Sequence, residues 1–152
     1  MASWPNLTDL LAARTDAAPV GLLGAPLGAG SVTPGACDRA PAMLRAILGR
    51  IGRYDVETGR ELGTRVADRG DVEVVGLSIE QATGPIRDAV AASAAAHALT
   101  LLVGDNNAVT RPAVLGLGGD LTEIGLITLD AHFDMRDTSQ GLSNGNPVSA
   151  LI

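Results

Sequence analysis

The sequence has few cysteines and shows neither the pattern of a secretory signal nor that of a membrane-spanning segment. It contains a single cysteine, Cys37, so no disulfide can form within the chain. Its opening stretch, "MASWPNLTDLLAARTDAAP", lacks the basic start and apolar middle of a secretory signal. The longest weakly polar stretch, residues 89–103, is interrupted by serine, histidine and threonine and is too short to span a bilayer. We therefore expect a cytoplasmic protein without a membrane partner.

Basic charge and nucleotide-binding motifs are also scarce. The 11 basic residues against 17 acidic ones give a net charge of −6, and no basic run of any length occurs. Nucleic acid is therefore not an expected partner, since it is bound through clustered positive charge. The glycines of "GLLGAPLGAG" lack a Gly-Lys-Ser/Thr ending and do not form a Gly-x-Gly-x-x-Gly fingerprint. They predict a tight loop rather than a phosphate cradle.

What the sequence does contain is an alternation of strand and helix patterns. Hydrophobic residues make up 46% of the 152 and charged residues 18%, which fits a globular domain. Buried strands are predicted at "PVGLLGAP", "DVEVVGL", "LTLLVG" and "IGLITLD". The stretch "GSVTPGACDRAPAMLRAILGRI" predicts a loop running into an amphipathic helix, with Pro41 near its first turn, and further helices are predicted at "GPIRDAVAASAAAHA" and "VTRPAVLGL". Apolar strands separated by helices predict an α/β fold with a parallel sheet covered on both faces, and no repeat or linker divides residues 1–152 into more than one domain.

The segment "ITLDAHFDMRD" carries the most distinctive polar pattern. Asp130, His132 and Asp134 occupy alternate positions directly after an apolar run. In an extended backbone these three side chains would point to one side and converge. Carboxylates and imidazole are metal ligands, although a solvated polar loop is the alternative interpretation. Ligands of open parallel sheets bind beyond the carboxyl ends of the strands, which is where this loop and the "GDNN" after "LTLLV" are expected.

Two other reactive side chains have simpler interpretations. His97 lies among alanines near a predicted helix end, which favours a partly exposed histidine beside the helix dipole over a ligand. Cys37 has no partner base nearby in sequence and is expected to be a small loop or core residue.

Four segments together resemble the arginase, agmatinase and formimidoylglutamase superfamily, the ureohydrolases. They are "GAPLGAGSVTPGACDRAPAMLR", "VGDNNAVTRPAV", "LITLDAHFDMRD" and "GLSNGNPVSALI", and the resemblance runs from about Val20 to the last residue. It implies a three-layer αβα sandwich with a mainly parallel sheet and two Mn²⁺ ions at the strand ends. Carried over by motif, Asp130 would bridge the two ions and serve catalysis, His132 would bind one ion, and Asp134 the other. The ions would activate water for attack on an amidine or guanidine carbon.

Two substitutions depart from the arginase pattern. A metal-ligating histidine of arginases and agmatinases falls on Asn107, whose amide oxygen is a weaker donor, so one metal position is expected to be loose. Asn144 stands where arginases have a histidine that shuttles protons or positions substrate; it can hydrogen-bond a substrate but cannot exchange a proton near neutral pH. Formimidoylglutamases also lack that histidine. Arg136 could bind a glutamate carboxylate through two hydrogen bonds, the alternative being a surface ion pair with Asp134 or Asp137.

Length is the largest departure, because family members are about twice as long and carry further ligands in a later Asp-x-Asp motif. The chain is therefore expected to be a truncated, N-terminal half, completed by a second-half polypeptide or by homo-oligomerisation. The expected reaction is formimidoylglutamase-like, N-formimidoyl-glutamate to glutamate and formamide. The alternatives are an agmatinase or guanidino-acid hydrolase releasing urea, and a non-catalytic remnant that acts only in assembly.

Overall fold

The computed structural model describes residues 4–12, 17–32 and 35–152. Its helices are α1 (Ala40–Leu48), α2 (Ile79–Ala96) and α3 (Thr110–Gly116). Its strands are β1 (Leu11–Ala12), β2 (Val20–Gly24), β3 (Tyr54–Asp55), β4 (Arg60–Glu61), β5 (Val66–Asp71) and β6 (Leu99–Val103). Short 3-10 turns lie at Leu7–Leu10, Cys37–Arg39, Asn107–Val109 and Leu121–Glu123. No helix among these residues is long and apolar enough to cross a membrane.

Four strands form one parallel sheet in the order β1, β5, β2, β6, and β3 pairs with β4 separately in antiparallel fashion. Residues of opposite parity along β2 face opposite sides of the sheet. A Cβ at Gly21 would meet the ring of His97 at the end of α2, whereas a Cβ at Gly24 would meet Pro41 in α1. Helices therefore cover both faces, which confirms the predicted three-layer αβα arrangement around a mainly parallel sheet.

Helix α2 supplies much of the core. It begins with a capping box, in which the side chains of Ser78 and Gln81 each accept a hydrogen bond from the other's backbone. The helix expected at residues 84–98 is confirmed but begins earlier, because this cap lies upstream of Pro85 and the helix accommodates the proline. Its buried side chains recur at helical spacing and pack towards β2; they are Ile79, Ala82, Ile86, Val90 and Ser93.

The strand expected at "DVEVVGL" is wrong. The chain pairs with β2 one segment earlier, through β5, and residues 72–77 form a tight loop after it. Within that loop Val74 is buried in the core and Val75 is exposed, so two apolar side chains that suggested a strand have different environments. The sequence pattern did not predict β5 because this strand contains the charged Asp68, which forms an ion pair with Arg45 of α1.

The strand expected at "IGLITLD" is also wrong. Residues 124–130 follow a 3-10 turn and form no strand. Three apolar side chains there are strongly exposed: Leu126 (44%), Ile127 (90%) and Leu129 (101%). A strand exists only where a neighbour accepts its backbone hydrogen bonds, and no described strand pairs with this segment.

Candidate metal centre

Three loops meet beyond the carboxyl end of β6 and enclose a cavity of about 510 Å³. One is the 3-10 turn that directly follows β6, one is the loop after residue 130, and the third contains Asn144 and Gly145. This is the edge of a parallel sheet at which ligands are expected. The cavity is lined by Val32, Asn107, residues 131–136, Asn144 and Gly145.

The amide of Asn107 joins the two aspartates predicted as metal ligands. Its Nδ2 donates to Asp130 Oδ2 at 3.0 Å and to Asp134 Oδ2 at 2.8 Å. The backbone N–H of His132 donates to Asp130 Oδ1 at 2.8 Å, and this bond, with that from Asn107, lowers the pKa of Asp130. Both carboxylates therefore face one point, and the hydrogen bonds from His132 and Asn107 favour the ionised form of Asp130.

The backbone that brings the carboxylates together is curved, so the expectation of an extended segment is wrong. Residues 130–132 form a bend, and Asp134 has φ 53°, in the left-handed region. The Asp134 carbonyl accepts from the N–H of Val148 at 3.1 Å, which helps to hold this unfavourable conformation. His132 also lines this cavity; its side chain is 79% exposed, and its Nδ1 lies 3.4 Å from Asp130 Oδ1.

The donor chemistry fits a hard divalent cation at the carboxylate pair. One nitrogen already contacts both carboxylates, so a cation near that position would be neutralised by two hard oxygen donors. Rotation of the Asn107 amide would present its oxygen instead of its nitrogen. Across the described residues no group of three or more His, Cys, Asp or Glu side chains is arranged to hold a metal, so the local donor set is incomplete.

Arg136 and Asn144 line the same cavity with different surroundings. Arg136 is exposed, and across the described ranges no ion pair joins it to Asp134 or Asp137. Its side chain lies over Gly145, where a Cβ would come within 2.8 Å of the arginine Cδ. Asn144 accepts the backbone N–H of Val32 at 3.1 Å, so it ties this loop to the glycine-rich loop after β2.

Two buried asparagines that support the site were not singled out from the sequence. Asn146 donates to the carbonyls of Asp137 and Gly141 and accepts the N–H of Ser143 at 2.8 Å. Asn106 donates to the Ala29 carbonyl at 2.7 Å. Asparagine repeated in glycine-rich loops, as in "DNNA" and "NGNP", is the signal that could have indicated them, because its amide can bond two backbone groups at once.

The remaining reactive residues lie apart from the centre. His97 follows α2 and precedes β6, so it is at the opposite end of the strands, where its Nδ1 contacts the Ala18 carbonyl at 2.8 Å. Cys37 is buried in a 3-10 turn, as a small loop or core residue.

A parallel sheet covered by helices on both faces, with two carboxylates facing one point beyond its strand ends, defines an α/β protein with a candidate metal centre. A sequence model of the arginase family matches residues 18–152, and the chain belongs to that family. Among curated proteins it is 26% identical to formimidoylglutamase of Halalkalibacterium halodurans, over 87% of this chain and 43% of that protein. It is 29% identical to mitochondrial agmatinase of Gallus gallus, over 86% of this chain and 39% of that protein.

Solved structures show the same fold. Formimidoylglutamase of Bacillus subtilis superposes with a TM-score of 0.83 at 23% identity, covering 98% of this chain and 48% of its own. Formiminoglutamase of Trypanosoma cruzi with Mn²⁺ gives a TM-score of 0.80 at 23% identity, covering 97% and 52%. The chain therefore spans about half the length, or somewhat less, of the relatives it matches.

Proposed function

We propose that this chain carries part of the metal centre of a manganese-dependent hydrolase that cleaves non-peptide C–N bonds in linear amidines. The preferred reaction is the hydrolysis of N-formimidoyl-glutamate to glutamate and formamide. The observation that carries the proposal is the convergence of Asp130 and Asp134 on one atom of Asn107, in a cavity that Arg136 also lines. Membership of the arginase family supports the class of reaction.

The residues divide into those that hold metal and those that hold substrate. Asp130, Asp134 and His132 would bind manganese, with Asn107 as a weaker donor. When bound, manganese would supply Lewis acidity and an activated water for attack on the amidine carbon. Arg136 would pair with the carboxylate of the substrate through parallel hydrogen bonds, and Asn144 would donate to it from the opposite loop.

A urea-releasing reaction is the second candidate, and the charge of Arg136 bears on whether its substrate would be agmatine or a guanidino acid. Agmatine is positively charged at both ends, so a guanidinium in the cavity would repel it. A guanidino acid has a carboxylate and would avoid this repulsion. The similarity to agmatinase supports the urea-releasing alternative. The product, formamide or urea, distinguishes the two reactions.

The incomplete donor set implies that the centre needs ligands from elsewhere. Mn²⁺ in oxygen-rich sites prefers about six donors, and the described residues provide two carboxylates at one point. We place residues 1–152 in one α/β domain and propose that a second-half polypeptide completes the site; a homo-oligomer is the alternative. A non-catalytic assembly role is the other alternative, and it is favoured by Asn107 and Asn144 standing where arginases have histidine.

The test is turnover by the assembled protein. Residues 1–152 would be combined with the second half of a formimidoylglutamase in the presence of Mn²⁺, and formamide and urea release measured with N-formimidoyl-glutamate, agmatine and a guanidino acid. Formamide from the first substrate is the expected result. Urea alone would favour the second candidate, and a metal-loaded complex inert to all three would reject the hydrolase.

A further inference from the structure

The loop that follows Arg136 holds the backbone of this arginine in place. The N–H of Arg136 donates to the Gly145 carbonyl at 3.0 Å, and the Arg136 carbonyl accepts from Ser149 Oγ at 2.7 Å. One turn of chain away, the N–H of Val148 donates to the Asp134 carbonyl at 3.1 Å. These hydrogen bonds join the two segments on both sides of the arginine, so its Cα has little freedom to move away from Gly145.

The side chain of Arg136 occupies the space next to Gly145 that a side chain would otherwise fill. A Cβ at Gly145 would lie 2.8 Å from Arg136 Cδ, 3.0 Å from its Nε and 3.5 Å from its Cγ. Non-bonded carbons prefer a separation of about 3.5–4.0 Å, so the first of these distances is a clash. The aliphatic part of Arg136 therefore lies against bare backbone, and the residue lines the cavity of the candidate metal centre.

Space, and not backbone conformation, is what Gly145 provides. Gly141 shows the opposite case in the same loop, since its φ is 93° and a Cβ there would meet nothing within 4 Å. Gly145 has no such left-handed φ, so alanine would adopt its backbone without strain. The three atoms nearest to a Cβ at Gly145 all belong to Arg136, which makes the arginine side chain the group that an added methyl would displace.

We infer that Gly145 is a positioning residue for substrate selection, because its lack of a side chain lets Arg136 lie across the loop with its guanidinium at the cavity. The inference rests on the proposed function for the carboxylate that this guanidinium would bind. Parallel hydrogen bonds to a carboxylate require the planar fork to be aligned, so a displaced side chain would lose at least one of them. The pair Asp130 and Asp134 is held by Asn107 and would not move.

The first experiment is NMR of residues 1–152 and needs no turnover. The unaltered chain should show a nuclear Overhauser contact between Gly145 Hα and Arg136 Hδ. Gly145→Ala should shift the Arg136 Nε–Hε resonance, leave the Asn107 side-chain amide resonances in place and leave the urea unfolding midpoint nearly unchanged. Gly84→Ala is the matched control, because a Cβ at this position of α2 would meet nothing within 4 Å.

The second experiment measures kinetics in the enzyme assembled with the second half of a formimidoylglutamase and Mn²⁺. Gly145→Ala should raise KM for N-formimidoyl-glutamate by at least about tenfold, because a displaced fork loses part of its bidentate contact. The kcat for this substrate and the KM for agmatine should stay unchanged, as should all constants of Gly84→Ala. When Arg136 is already alanine, Gly145→Ala should raise KM no further, since its effect acts through the arginine.

The two experiments separate this inference from the proposed function. An unaltered assembled protein that turns over no substrate would reject the hydrolase, and the NMR result would then decide the position of Arg136 by itself. The inference is overturned if the Overhauser contact is absent or if the Arg136 resonance is the same in the Gly145 and Gly84 variants. It is also overturned if Gly145→Ala raises KM equally for agmatine, or raises KM further in the Arg136→Ala enzyme, because the glycine would then serve only the packing of the loop.

Discussion

At the scale of single residues, we expect Asn107 to influence how strongly the candidate centre holds a cation. Its amide nitrogen donates to both carboxylates, so metal binding must first replace two hydrogen bonds. An imidazole would instead offer a nitrogen lone pair, which divalent first-row metals prefer to an amide oxygen. We expect Asn107→His to tighten Mn²⁺ binding by at least about tenfold, or roughly 1.4 kcal/mol. Calorimetric titration of the assembled protein would measure it, and unchanged or weaker binding would show that this position is not a ligand.

The carboxylates themselves give the complementary prediction. Asp130→Ala should abolish Mn²⁺ binding, because it removes one of the two oxygen donors that face the same point. Elemental analysis of protein purified with added Mn²⁺ would measure the metal content. His97→Ala should retain metal, since His97 lies at the opposite end of the strands. Equal metal content in the Asp130 variant and the unaltered protein would remove this aspartate from the ligand set.

At the same scale, we expect Arg136 to influence the choice of substrate. In the assembled enzyme, Arg136→Ala should raise KM for N-formimidoyl-glutamate by roughly thirtyfold, the equivalent of about 2 kcal/mol for a lost bidentate contact. KM for agmatine, which lacks a carboxylate, should not rise. Arg87→Ala, which removes an exposed arginine paired with its neighbour Asp88, is the control. Equal effects on both substrates would favour the agmatinase-like alternative.

At the scale of elements, the sequence indicated those whose apolar residues follow a regular pattern. The apolar run of β2 and the helical repeat of α2 are read correctly because both contribute to the buried core, and β6 is also read correctly although Leu99 and Leu101 are exposed. Residues 124–130 have the same composition but lack a neighbouring strand, and local sequence contains no information about a missing neighbour. The motif of residues 130–134 placed the carboxylates near one another, yet the left-handed Asp134 and the supporting bonds of Asn146 depend on loops distant in sequence.

Helix α1 is attached to β5 through an arginine that the sequence gave no reason to single out. Arg45 binds Asp68 through bonds of 2.7 and 2.8 Å and Asp71 through one of 2.6 Å. The bonds from Arg45 hold the pKa of Asp68 below its ordinary value of 3.8. A carboxyl whose folded pKa is lowered stabilises the fold above its unfolded pKa, and that contribution is lost as pH falls through the folded value.

Asp68→Asn should therefore reduce the free energy of unfolding near neutral pH by about 1 kcal/mol, a modest value because solvent partly screens the pair. The deficit should shrink as the pH falls below 3.8, where Asp68 of the unaltered protein also becomes protonated. Urea denaturation at several pH values would measure it. Asp88→Asn, at a more exposed ion pair on α2, should have little effect at any pH. A deficit that is the same in acid and at neutral pH would contradict the role of the ion pair.

At the scale of the whole molecule, the described residues form a closed core but only part of the candidate site. The core between α2 and β2 is closed, with Leu23, Ile86 and Val90 at most 4% exposed. The site, in contrast, lies between loops on the side of the sheet where no described strand pairs with the outer edge of β6 or with residues 124–130. We therefore expect the fold to form around β2, whereas catalysis at the candidate metal centre would depend on what covers the outer edge of β6.

The isolated chain should accordingly be inactive and bind Mn²⁺ weakly. Two converging carboxylates cannot satisfy an ion that prefers about six donors, and a loosely held ion neither polarises substrate nor activates water effectively. Adding the second half of a formimidoylglutamase should raise both metal content and formamide release, and Asp130→Ala in that mixture should remove both gains. Metal content, oligomeric state and product release would be measured on the same samples. Turnover by the monomeric chain alone would show that its own residues complete the centre, whereas a stable homo-oligomer that ignores the added half would favour a role in assembly.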